Sequence, residues 1–159
     1  MTKPIAGPDP NPVKPRYAPP PGACDAHCHI LGPAARFPYA PERRYTPPDS
    51  PKEKLRALHD HLGLSRAVLV QASCHGGDNR AMLDAISWSK GAWRGVAMVD
   101  DDMSEKALAD LHAGGARAVR FNFPFYDDFT RNARKKPRSS SVSACPPRFP
   151  RSPPPSMTM

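Results

Sequence analysis

Between residues 23 and 123, four short apolar segments alternate with three amphipathic ones, and this alternation most limits the folds open to the chain. Cys24 to Ile30, Ala67 to Ala72, Gly95 to Val99 and Ala116 to Phe123 have the length and apolar content of strands buried in a sheet. Lys52 to Leu62 reads as a helix, because Leu55, Leu58 and Leu62 recur at spacings of three and four between a Ser50-Pro51 start and a Gly63 stop. Asp78 to Trp88 follows with Met82, Leu83 and Ile86 on its inner face, then Ser104 to His112 with Ser104 as candidate N-cap. The βαβαβαβ order predicts an α/β unit with about four parallel strands, three helices and right-handed crossovers.

The flanking segments are built differently. Residues 1–22 hold eight prolines and are expected to form a disordered, extended arm. Leu31 to Pro51 carries six prolines in a connection far longer than most βα loops, and such loops tend to be functional. Residues 124–159 are expected to be a disordered tail, which from Arg131 onward has seven Lys or Arg, seven prolines and no acid. That composition suits translation of a G+C-rich gene in a wrong reading frame. The net charge of +8 belongs almost wholly to this tail, since residues 1–130 carry a net +1. A specific nucleic-acid partner is therefore not expected, and the tail offers only nonspecific phosphate contact. No apolar run is long enough to span a membrane and the N-terminus lacks the apolar core of a signal peptide, so a cytoplasmic location with no membrane partner is expected.

The chemistry concentrates in Cys24-Asp25-Ala26-His27-Cys28-His29-Ile30. Residues i and i+2 of a regular strand share a face, so Asp25, His27 and His29 are expected to project one way and Cys24, Ala26, Cys28 and Ile30 the other. Two imidazoles on one face can polarise a carbonyl or hold a metal. Cys24 and Cys28 face away from the imidazoles and so are not expected to join them at one ion; reduced thiols, with a packing role for Cys28, fit a cytosolic protein.

Asp25-x-His27-x-His29, Arg36-Phe37-Pro38-Tyr39, Arg44-Tyr45-Thr46-Pro47, Gln71-Ala72-Ser73-Cys74-His75-Gly76 and Arg120-Phe121-Asn122-Phe123, in that order, resemble the amidohydrolase superfamily in its metal-independent lactonase branch. The resemblance runs from about Gly22 to Phe123 and implies a (β/α)8 TIM barrel, which takes about 250 residues. Residues 23–123 would then be the N-terminal half of such a barrel. The resemblance further implies that His27 and His29 assist at the carbonyl of a cyclic ester, that Tyr45, Ser73 and Arg120 bind a small carboxylated, pyrone-type substrate, and that no cofactor is needed. The residue chemistry agrees, since a guanidinium grips a carboxylate through two parallel hydrogen bonds while hydroxyls orient it without adding charge.

In the alternative, a metal-dependent amidohydrolase or decarboxylase of the same superfamily, His27 and His29 would ligate a divalent metal such as zinc. The family's general base comes from a later strand, so this chain alone is expected to be an inactive fragment. A further alternative is a noncatalytic half-barrel that self-associates through its open edge. His59, His61 and His112 are expected on helix surfaces, and His75 either behind the site as a donor or as a plain loop histidine. Limited trypsinolysis checks the tail: cleavage between Arg134 and Arg151 should precede cleavage elsewhere, and an uncut tail would show that it is folded.

Overall fold

The structure, a computed structural model, describes residues 3–121. Strands β2 (Cys24–Cys28), β4 (Arg66–Val70), β5 (Trp93–Met98) and β6 (Ala116–Arg120) form one four-stranded sheet in that order, every pair parallel. Helices α1 (Lys52–Leu62), α2 (Arg80–Trp88) and α3 (Glu105–Ala113) make the crossovers. Two further two-residue strands, β1 (Lys3–Pro4) and β3 (Tyr45–Thr46), pair in parallel with each other, so the proline-rich arm begins with a short ladder to the long loop. Residues 5–23 contain no helix or strand. The tail expected for residues 124–159, together with Asn122 and Phe123, lies outside the described residues.

The helix ends follow local chemistry. Pro51 in an extended conformation opens α1, and Gly63, with φ of 77°, closes it by donating its N–H to the Asp60 and His59 carbonyls. Ser104 caps α3 by accepting the Ala107 N–H at 3.2 Å. Asn79 stands just before α2 and does more than mark its start. Its buried amide donates to the Met98 carbonyl at 2.8 Å and accepts the Met98 N–H at 2.9 Å, so it satisfies both backbone groups at the end of β5.

The apolar core lies on one face of the sheet. Ala67, Leu69, Ala97 and Val99 face Leu55 of α1, Ala81, Met82, Ala85 and Ile86 of α2, and Trp93. By contrast α3 buries none of its residues, its Leu108 is exposed, and so is Val119 of β6. Replacing Asn79 by alanine strands two backbone groups at the end of β5 and should cost about 2–3 kcal/mol, read from urea unfolding of the two chains.

Candidate active site

Three of the sequence-identified side chains converge on Val70–Ser73, the segment that leaves β4. The His29 imidazole meets the Val70 carbonyl through Nδ1 at 2.7 Å, and Arg120 donates from Nη1 to the Gln71 carbonyl at 3.1 Å. The Tyr45 hydroxyl lies 3.3 Å from Ser73 Oγ. His27 completes the group through its ring, edge-on to that of His29 at 5.1 Å between centroids. All of these groups stand at the C-terminal ends of parallel strands or in the loops that follow, where barrel enzymes place their chemistry. Among the described residues no carboxylate pairs with Arg120, and its guanidinium is held there by the Gln71 carbonyl.

Strict alternation fails at one point in β2. Asp25 pairs with Ala67 and Cys28 with Leu69, so β2 spends three steps where β4 spends two. This β-bulge turns Asp25 and Cys28 to the same face, the helix side, and leaves His27 and His29 on the other. Asp25 thus does not share the histidine face as the sequence predicts. Cys28 and Ile30 pack toward the core as expected, whereas Cys24 and Ala26 are exposed.

His59 corrects a second expectation. It is only 1% exposed, with Nε2 bonded to Asp25 Oδ2 at 3.0 Å and its ring edge-on to Trp93. Its place four residues after Leu55, on the buried stripe of α1, is the sequence signal that marks it as internal. His61 is half-buried and His112 exposed.

The long loop is fastened behind the site. Asp49 accepts the Ala34 N–H and the Tyr39 hydroxyl, and Leu31 and Ser50 form an antiparallel bridge. His75 is a buried clamp: its Nε2 accepts the Gly32 N–H at 3.1 Å, and Nδ1 faces the Pro38 carbonyl at 3.3 Å. That arrangement needs a neutral ring, and burial in turn holds its pKa below the ordinary histidine value.

Residues 24–138 match the amidohydrolase family. The chain belongs to that family. It is 58% identical over 113 residues to a 2-pyrone-4,6-dicarboxylate hydrolase of Comamonas testosteroni, covering 71% of this chain and 37% of that protein. It is 40% identical over 108 residues to a 4-sulfomuconolactone hydrolase of Hydrogenophaga intermedia, covering 68% and 36%. Among solved structures, a probable 2-pyrone-4,6-dicarboxylic acid hydrolase of Acinetobacter baumannii with citric acid bound superposes with a TM-score of 0.59 at 27% identity, over 70% of this chain and 45% of that one. The chain therefore spans little more than a third of the length of the curated relatives, and its sheet corresponds to part of an amidohydrolase TIM barrel.

As an amidohydrolase, the chain can be tested for a metal centre. His27 and His29 would give two ligands, but among the described residues no third His, Cys, Asp or Glu joins them to form a set. Among the described residues the trio whose donor atoms approach within 4.8 Å is Asp25, Cys28 and His59, on the opposite face. There Asp25 and His59 already bond each other, and burial together with the nearby Asp25 carboxylate pushes the Cys28 thiol up to about 12. The described residues do not by themselves make a metal centre around the histidine pair.

The His75 clamp has a pH signature. A folded-state pKa below the unfolded value of 6.5 means that the unfolded chain binds more protons, so its stability contribution is present above that pH and lost as pH falls through the folded value. The melting temperature should fall as the pH is lowered from about 7.5 to about 5, and His75→Gln should flatten that slope.

Proposed function

We infer that this chain carries the carbonyl-binding side of a lactone hydrolase, one that opens a carboxylated, pyrone-type cyclic ester by attack of water at the ring carbonyl. The observation that carries the reading is the convergence of His29, Arg120 and Tyr45 on Val70–Ser73. With Nδ1 of His29 directed at a main-chain carbonyl, its Nε2 is left for the substrate, beside the ring of His27. Imidazoles held there stabilise the negative charge that grows on the carbonyl oxygen as water adds. Arg120 supplies a planar fork for a ring carboxylate, and Tyr45 with Ser73 supplies neutral hydroxyls to orient it. Collapse of the adduct breaks the ring C–O bond, turns the attacked carbonyl into one more carboxylate, and leaves the ring oxygen to take a proton from the added water as an enol.

The substrates in the relatives' names support an anionic lactone, and so does the citric acid bound in the Acinetobacter structure. This mechanism requires no cofactor. In the metal-dependent alternative, His27 and His29 are two ligands of a zinc-like ion whose remaining ligands come from outside the described residues. Free thiols at Cys24, Cys28 and Cys74 favour a cytoplasmic setting, and among the described residues no helix is long and apolar enough to cross a membrane. The edge position of β6, with Val119 and Phe121 each 49% exposed, supports self-association of the chain through that edge.

No described residue is assigned to activate water, so the chain alone should not hydrolyse 2-pyrone-4,6-dicarboxylate. Turnover that disappears on His29→Ala would overturn this. When the chain is completed with the C-terminal strands of the Comamonas protein, Arg120→Lys should lower kcat/KM about ten- to a hundredfold, from the roughly 1.5–3 kcal/mol of a charge-assisted hydrogen bond. The loss should be much smaller for an uncharged ester analogue. Equal losses would assign Arg120 to holding the barrel together.

A further inference from the structure

We propose that Asp25 and His59 are positioning residues that lock the β2 bulge and thereby aim His27 and His29 at the reaction face. This rests on the reading of the histidine pair as the carbonyl-binding groups. In a β2 paired regularly onward from Asp25 and Ala67, His27 would stand opposite Leu69 and His29 opposite Gln71. Both would then share the face of Ala67 and Leu69, which is the apolar core. One extra residue reverses this, because a single-residue slip exchanges the two faces of a strand. The bulge therefore decides whether the two imidazoles meet substrate or Leu69 and its neighbours.

The bonds that hold the bulge are specific. Inside it the His27 N–H donates to Asp25 Oδ1 at 3.0 Å, while Asp25 Oδ2 meets His59 Nε2, also at 3.0 Å. His59 is fixed in turn by its burial in α1 and by Trp93. Burial pushes the Asp25 carboxyl up, but the His27 N–H and His59 outweigh it and hold its pKa below the ordinary carboxylate value. A partly buried carboxylate is a costly way to join a strand to a helix when apolar side chains would fill the same space. The use that repays its desolvation is capture of the N–H belonging to one of the reacting residues.

The test separates positioning from mere stability. In Asp25→Ala alone, His59 keeps a buried, unpaired Nε2, and stability should drop. In Asp25→Ala/His59→Leu both partners are gone, and stability should return toward the parent value. Histidine-labelled full-length chain is then examined by NMR for the ring-to-ring contact of His27 and His29 and for the His27 amide shift. The double variant should fold yet lose the ring contact and shift the amide, while His59→Gln, which keeps a donor near the Nε2 position, should retain both. A double variant that folds and keeps the ring contact overturns the proposal. So does one that fails to fold, since the pair would then serve the core, and so does His59→Gln losing the contact. None of these readouts requires turnover, so failure of the lactone reading would show separately in the assay of the completed chain.

Discussion

The exit from β4 is the fixed point of this structure, because main-chain hydrogen bonding there leaves free acceptors aimed at the reaction face. The ladder between β4 and β5 continues one residue past the strand, with the Gln71 N–H on the Val96 carbonyl at 2.9 Å. The Gln71 side chain then donates to the carbonyls of Asp78 and Gly76, tying the exit to the start of α2. Buried carbonyls that run out of ladder must find other donors. His29 and Arg120 are those donors, so the satisfaction of two backbone oxygens also sets the positions of an imidazole and a guanidinium.

The long loop after β2 answers a different requirement. To bring Tyr45 to Ser73 it must pass over the strand ends without leaving its own polar groups bare. It does so with few side chains: Asp49 takes one backbone N–H and one hydroxyl, and His75 spans the loop between Gly32 and Pro38. Since a protonated His75 could no longer accept from Gly32, order in the loop and the proton balance of one buried imidazole are linked. The loop that carries the Tyr45 hydroxyl is thus held by a group that titrates near neutrality when it is unfolded.

Much of the fold was legible because its signals are local. Pro51 and Gly63 bound α1 at the expected residues, Ser104 caps α3, and the strands fall where apolar runs predict them, with ends shifted by one to three residues. That His27 and His29 would lie side by side on one face was legible as well. The orientation of the pair was not, because a bulge is a property of two paired strands and β2 alone shows period-2 alternation. His59 was missed for a related reason. Its spacing from Leu55 puts it on the inward stripe, but a polar residue there needs a partner, and Asp25 lies 34 positions away in the sequence. Asn79 likewise carries no motif, and only the approach of β5 reveals what its amide does.

Support for the site is uneven across the sheet. The histidine pair, Ser73 and the exit of β4 rest on the layer formed by α1 and α2, where Leu69, Ala85 and Trp93 are almost wholly buried. Arg120 stands on β6, whose outer edge is unpaired among the described residues and whose companion helix α3 buries no residue at all. Opening free energies follow local burial, so His27 and His29 belong to the more stable part and Arg120 to the less stable one. The match covers little more than a third of the length of the curated relatives. Strands pairing onto β6 would act first on Arg120, whereas His27 and His29 stand on a strand whose bulge is already bonded through Asp25 to His59.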